Sequence, residues 1–196
     1  MAWISFDVFR TLGFADTLQI KPEQLFQYKT EISEASWVLF PPHWQLNALQ
    51  YGLKARVFPS EASYRLGNNK VEMTRAFELV APGNTPLTRI LANTPANADL
   101  LWQEMYTPFV AKLPKASQGD GVWLIDSRQD WHKYVEVSDT LYVQEYLPID
   151  RDIRIVIIGD TVLAAYWRQQ SARGFYNNVA KGGFVDYSPV PAAAIE

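Results

Sequence analysis

Lys112 sits near the close of the apolar run Phe109 to Leu113, and the residues that follow, Pro114 to Val122, include Ala116, Ser117, Gly119 and Gly121. A loop of such small residues can bring backbone N–H groups close to an anion, and a lysine at its edge adds a full positive charge. Together these are the parts of a phosphate clamp, although a glycine-containing hairpin turn has the same look. Further along come Val143-Gln144-Glu145-Tyr146-Leu147, then Asp152-Ile153-Arg154, Gly159-Asp160, Arg168, Asn177-Asn178 and Gly182-Gly183. Singly, each has a plain structural reading. Glu145 fits a solvated strand end, Asp152 and Arg154 fit a surface cross-strand pair, and Arg168 fits a charge capping a sheet edge.

In this order, across residues 108 to 186, the motifs resemble the ATP-grasp superfamily, and within it the RimK-like carboxylate-amine ligases. The family's strand lysine, glycine loop, VQEY hinge, DIR strand, GD hairpin, arginine and N-x-x-x-G-G segment match Lys112, Ser117 to Val122, Val143 to Tyr146, Asp152 to Arg154, Gly159 to Asp160, Arg168 and Asn178 to Gly183. The resemblance implies that Lys112 and the loop residues Ser117, Gln118, Gly119 and Gly121 contact ATP phosphates. It implies that Gln144, Glu145, Tyr146 and Leu147 lie along adenine, with backbone groups of Glu145 and Tyr146 reading its edge, and that Asp152 accepts from the ribose. Tyr176, Asn177 and Asn178 would border the phosphate end. Arg168 would be the catalytic residue, its planar fork holding phosphate or acyl-phosphate oxygens. Lys70 resembles a lysine that the family places before a helix to reach the α- or β-phosphate, while Gly67 to Lys70 reads equally well as a helix-capping sequence.

The same resemblance implies an activity: a carboxylate attacks the γ-phosphate of ATP, and an amine then displaces phosphate from the acyl phosphate to form an amide or peptide bond. ATP is the implied cofactor, with an unidentified carboxylate and an unidentified amine as partners. The family's Mg2+ ions are held by an aspartate, a glutamate and an asparagine on later strands, and no E-x-N pair follows Gly183 here, so no metal ligand is assigned. The expectation is a chain inactive as it stands. Either it is part of a longer ligase, which the helix-opening character of Pro189 to Glu196 favours, or it is a nucleotide-binding regulatory or scaffold protein without the reaction.

The elements that position these residues are legible from apolar spacing. Ala2 to Phe9 and Ala35 to Phe40 read as strands flanking an amphipathic helix, Lys21 to Glu34, whose apolar side is Leu25, Phe26 and Ile32. A helix from Trp44 to Tyr51, closed by Gly52, and a strand from Ala55 to Phe58 follow. Lys70 to Val80 has helical spacing after an asparagine cap, and a strand starts at Thr88. Ala92 to Asp99, rich in Asn, Ala and Pro, reads as a linker before a short helix near Leu100 to Met105. Five strands are expected beyond it, at Phe109 to Leu113, Val122 to Asp126, Leu141 to Glu145, Ile153 to Ile158 and Thr161 to Trp167. Gly159-Asp160 forms a tight hairpin between the last two. The order of elements reads as α/β, and with it the resemblance implies a small doubly wound pre-ATP-grasp domain over residues 1–87 including helix 70–80, a central ATP-grasp α+β lobe over 88–147, and a partial, truncated C-terminal lobe over 148–196.

Composition narrows the function. The 196 residues are 48% hydrophobic and 20% charged, the balance of a globular chain. A net charge of -3 lacks the basic footprint of a nucleic-acid binder. The seven tryptophans, Trp3, Trp37, Trp44, Trp102, Trp123, Trp131 and Trp167, are scattered without a basic stripe and read as core or interface residues. The chain has no cysteine, and His43 and His132 stand far apart without carboxylates at ligand spacing, which argues against zinc. No apolar run is long enough to span a membrane, and no signal-peptide pattern opens the chain. Cytoplasmic residence is expected, and homo-oligomerisation stays open.

Overall fold

Short runs of β-branched and aromatic residues in the first part of the chain form parallel strands. β1 (Trp3–Ser5), β2 (Thr17–Gln19), β3 (Val38–Leu39) and β4 (Val57–Phe58) make a four-stranded sheet in the order β2-β1-β3-β4. All three pairings are parallel. Ile4, Ile20, Leu25, Ile32, Val38, Leu46, Leu49 and Val57 form its core. This computed structural model describes residues 3–116, 120–170 and 182–195, and the chain divides into two compact units, Met1–Asn68 and Asn69–Glu196.

The helix expected over 21–34 is broken in two. A 3-10 turn spans Pro22–Gln24, and α1 covers only Lys29–Glu34. Pro22 starts the turn and the Gln24 side chain accepts from the Lys21 N–H, which closes it locally instead of feeding a longer helix. Leu25 and Ile32 are buried as expected, but Phe26 is 81% exposed. The helix expected at 44–51 is likewise a 3-10 turn, His43–Gln45, followed by a π-helical turn, Ala48–Gly52. α2 (Glu61–Asn68) was not anticipated, because its polar sequence buries no residue.

The second unit begins one residue before α3 (Lys70–Val80), whose Asn69 cap accepts from the Val71 N–H. Sequence spacing grouped this helix with the first domain. Its contacts lie with the second unit instead: the Lys70 N–H donates to Pro114 O at 2.9 Å, and Thr74 Oγ1 lies 2.7 Å from the Tyr142 hydroxyl. The four-stranded sheet of this unit runs β5 (Thr88–Ala92), β8 (Thr140–Glu145), β6 (Phe109–Lys112), β7 (Val122–Ile125), antiparallel throughout.

Side chains alternate across such a sheet. One face carries Leu91, Phe109, Ala111, Trp123, Ile125, Leu141 and Val143 into a core closed by α4 (Pro95–Glu104) and α5 (Arg128–Val137). The expected linker at 92–99 is thus the start of α4. Thr94 caps it by accepting from the Asn97 N–H, Pro95 occupies the first turn where its missing N–H costs nothing, and Ala98 and Leu101 are buried. α5 starts at Ser127, which caps Asp130 in the same way. It places Trp131 and Tyr134 in the core, Trp131 edge-on to Phe109 with ring centroids 5.6 Å apart.

A second antiparallel sheet, β11-β10-β9, comprises β9 (Arg151–Ile158), β10 (Thr161–Gln169) and β11 (Phe184–Asp186). Gly159, at φ +59°, turns β9 into β10 at the expected position. Residues 192–194 form a 3-10 turn.

Candidate functional site

Opposite the core, the central sheet presents Thr88, Val110, Lys112, Tyr142 and Gln144. Thr88 pairs across from Gln144, and Gln144 across from Val110, so a threonine, an amide and, one strand-repeat away, a lysine share one surface. Lys112 Nζ donates to Gln144 Oε1 at 2.6 Å, and Gln144 Nε2 donates to Thr88 Oγ1 at 2.8 Å. The ammonium also lies 5.9 Å from the centroid of the Tyr142 ring. Burial pushes the Lys112 pKa down to about 8, and the neighbouring positive charge of Lys70 adds to the shift. Among the described residues no carboxylate contacts Lys112.

Lys70 is brought to the same place with a different task. Its Nζ donates to Leu113 O at 3.0 Å and to Ala116 O, so it ties α3 to the two carbonyls where the loop leaves β6. Burial lowers its pKa. The loop is closed on its other side by Gly121, whose carbonyl accepts from the Leu113 N–H at 2.7 Å. Gly121 has φ +64°, and a Cβ there would meet Ala116 Cβ at 2.8 Å. Both conformation and space demand glycine. The other loop candidates, Ser117, Gln118 and Gly119, lie outside the described residues, as do Tyr176, Asn177 and Asn178.

The hinge candidates follow directly from β8. Glu145 Oε1 accepts from the Leu87 N–H at 2.7 Å, and the Glu145 N–H donates to Leu87 O at 2.9 Å. Its N–H is therefore committed to the protein. Leu147 O accepts from the Ile149 N–H at 2.8 Å, which bends the chain after Tyr146 towards β9.

Asp152 and Arg168 stand on the other sheet and face each other. Arg168 donates through Nε to Asp152 Oδ1 at 2.7 Å and through Nη2 to Oδ2 at 3.0 Å, a bidentate pair with both side chains about one quarter exposed. A β-bulge sets this pairing. Val162 pairs with Ile157 but Ala164 with Val156, leaving Leu163 as the extra residue. Without that shift Arg168 would oppose Arg151, a like charge, which instead lies 4.1 Å over the Trp167 ring. The edge of Arg168 assigned to phosphate thus grips a carboxylate, and Arg154 pairs across from Tyr166 rather than bonding Asp152.

Among the described residues no cluster of three histidine or acidic side chains could hold a metal ion. Asp152 is engaged by Arg168, and Asp186 accepts from Ser188 and Gln169. These carboxylates do not fit a magnesium site as they stand.

The family model of the RimK-like ATP-grasp domain matches residues 72–191 of this chain. The chain belongs to the RimK-like ATP-grasp family. It is similar to a probable alpha-L-glutamate ligase of Citrobacter koseri, 32% identical over 155 residues that cover 71% of this chain and 51% of that protein. A ribosomal protein bS6--L-glutamate ligase of Escherichia fergusonii is 32% identical over 148 residues, covering 68% of this chain and 49% of the relative. This ATP-grasp chain spans about half the length of the curated relatives it matches. In fold it resembles a RimK domain ATP-grasp protein of Sphaerobacter thermophilus, with TM-score 0.64 and 17% identity over 86% of this chain and 73% of the other. It also resembles D-alanine--D-alanine ligase of Bacillus anthracis, with TM-score 0.70 and 12% identity over 98% and 74% of the two chains. The expected α/β ATP-grasp fold is therefore the one found. No helix among the described residues is long and apolar enough to cross a membrane.

Sequence reading missed the residues that hold this ATP-grasp surface together: Thr74, Thr88, Tyr134 and Tyr142. Tyr134 is the hub. Its hydroxyl is hydrogen-bonded to Lys112 O at 3.0 Å and accepts from the Tyr142 N–H at 2.8 Å, locking β6 to β8 from α5. Thr88 and Tyr142 are signalled in the sequence only by the alternation within β5 and β8, which puts them and Gln144 on the face away from Leu141 and Val143.

Proposed function

We propose that the polar face of the central sheet is the nucleotide surface of an ATP-dependent carboxylate-amine ligase, with Lys112 as its phosphate-binding cation. The observation that carries this reading is the state of Lys112. Its side chain is half-buried, its partner Gln144 is a neutral amide, and a second lysine stands nearby, so among the described residues the site has positive charge without a contacting counter-charge. Burying a cation in that way is costly unless an anion completes it. A triphosphate is such an anion, and the glycine loop that Lys70 anchors follows directly from the same strand.

In this reading the Gln144 to Leu147 segment borders adenine, Asp152 serves the ribose, and the loop and Tyr176 to Asn178 border the phosphates. Arg168 is held by Asp152 and aligns phosphate or acyl-phosphate oxygens once a nucleotide competes for Asp152. A substrate carboxylate attacks the γ-phosphate to give an acyl phosphate and ADP; an amine then attacks the acyl carbon and releases phosphate, leaving an amide. The protein contributes position and positive charge rather than a nucleophile. The names of the relatives point to L-glutamate as the first substrate to try.

Titration calorimetry with MgATP tests the assignment. Lys112→Ala is expected to weaken binding by about tenfold to a hundredfold, the worth of a charge-assisted contact to phosphate. Unchanged affinity in a folded variant removes Lys112 from the site. ADP release with L-glutamate and a panel of carboxylates then separates a ligase from a nucleotide-binding protein without the reaction.

A further inference from the structure

Thr88 belongs to none of the motifs that mark the family, yet it determines which end of the Gln144 side chain meets Lys112. It is 8% exposed and lies directly opposite Gln144 in the β5–β8 ladder. Its hydroxyl donates to Pro86 O at 2.8 Å, so towards Gln144 its oxygen acts only as an acceptor, and it accepts from Nε2 at 2.8 Å. An amide held by its nitrogen presents its oxygen on the other side. That oxygen is the one 2.6 Å from Lys112 Nζ. Were the amide reversed, an NH2 group would face an ammonium, two donors with no acceptor between them.

The cluster is secured from beneath. The Tyr142 hydroxyl lies 2.7 Å from Thr74 Oγ1, which connects α3 to the sheet, and Thr74 is itself buried. Thr74 stands one helical turn after Lys70, so the same face of α3 anchors the loop and this polar chain. Among the described residues, the groups facing Lys112 are Gln144 and the Tyr142 ring from β8 and the charge of Lys70 from α3.

We propose that Thr88 is a positioning residue of the nucleotide site, fixing the Gln144 amide so that its oxygen holds the Lys112 ammonium in place for an anionic ligand. This rests on the reading of Lys112 as the phosphate-binding cation. A threonine that merely filled space would act equally whatever stood at 144.

The test uses the full chain with 13Cε-labelled lysine, following the titration of the Lys112 signal by NMR, assigned through its loss in Lys112→Arg, alongside binding of magnesium AMP-PNP. In Thr88→Val the amide loses its orientation: the Lys112 midpoint falls, and AMP-PNP affinity drops about tenfold, the worth of one hydrogen bond to a charged group. Thr88→Ser restores both. In a Gln144→Glu background either carboxylate oxygen can accept, so adding Thr88→Val brings no further loss. Gln144→Leu, which deletes the acceptor itself, lowers the midpoint at least as far as Thr88→Val. An unchanged midpoint in Gln144→Leu or in folded Thr88→Val overturns the proposal, as does an equal loss from Thr88→Val in both backgrounds. If the midpoint shifts but no form binds AMP-PNP, wild type included, the nucleotide reading fails and the positioning role in that site falls with it.

Discussion

The two sheets of the second unit share antiparallel pairing and strands rich in β-branched and aromatic residues, but they are built to different standards of burial. In the central sheet Phe109, Ala111, Ile125, Leu141 and Val143 are fully inaccessible under α4 and α5. In the outer sheet none of the described residues of β9, β10 or β11 is buried, although β9 and β10 are the longest strands among the described residues. A hydrogen-bonded ladder exchanges bonds to water for bonds to protein at a modest net gain, whereas fixing a side chain in one position needs apolar surface removed from water. The consequence reaches the charged residues. On the central sheet Lys112 is held among buried groups, and its charge is destabilised enough to lower its pKa to about 8. On the outer sheet Arg168 is partly exposed and compensated in place by Asp152.

The sharpest way to break this contrast is to truncate one apolar side chain on each side. Trp131→Ala removes a ring that is 2% exposed and packed against Phe109 and Tyr134. It is expected to cost about 3–5 kcal/mol. Leu163→Ala, at the bulge of β10 and 57% exposed, should stay within about 0.5 kcal/mol. Urea denaturation of both variants gives the comparison directly. A Leu163 loss approaching that of Trp131 would mean that the outer sheet is covered in solution, and the difference drawn here would vanish.

A smaller effect rests on Lys112. Because the Lys112 pKa is held near 8, binding an anion favours its charged form and raises that value, so the protein should take up a proton when nucleotide binds around and above pH 8. Affinity should fall by up to about tenfold as pH rises from 7 to 9, roughly a factor of ten for each unit above the free-protein pKa. For the unliganded protein the sign is opposite. The folded pKa lies below the unfolded value, so the charge on Lys112 opposes folding fully below pH 8, and stability from this group rises with pH until the unfolded lysine also titrates, near 10.5. Calorimetry in buffers of different ionisation enthalpy counts the protons, and persistence of the uptake in Lys112→Ala would assign it to another group.

Much of the second unit was readable in the sequence because its strands are unbroken runs of Val, Ile, Leu and aromatics bounded by turn residues. The expected strands at 109–113, 122–126, 141–145, 153–158 and 161–167 all appear, with ends displaced by two residues or fewer. Helix 70–80 and its Asn69 cap were legible from a local signal. α5 was not, since only Trp131 and Tyr134 are buried in an otherwise polar stretch, and α4 was legible only from Leu100 onward, because Pro95 and Asn97 in its first half signal loops as well as helix starts. The site divides along the same line. Lys112 and its loop are contiguous in sequence, so spacing finds them. The Thr88–Gln144–Lys112 chain and the Arg168–Asp152 pair depend on strand register, and in the second case on a one-residue bulge that no composition reveals.

The mildest test compares the hairpin glycines of the two sheets, which have nearly the same backbone conformation in different surroundings. Gly121 has φ +64° and Gly159 φ +59°. A Cβ at Gly121 would press on Ala116 and Leu113, the residues that open the loop after β6, while at Gly159 it would meet nothing within 4 Å. Gly159→Ala should therefore cost only the left-handed backbone penalty, about 1 kcal/mol. Asn tolerates that region better, so Gly159→Asn should fall within about 0.5 kcal/mol of wild type. Gly121→Ala adds steric displacement to the same backbone term and should cost at least about 1 kcal/mol more. It should also weaken nucleotide binding, because Ala116 and Leu113 supply the carbonyls that Lys70 holds. Equal losses for the two alanine variants in urea denaturation would show that backbone conformation alone decides both turns. Unequal losses with unchanged nucleotide affinity would separate the packing of this loop from its proposed role at the phosphates.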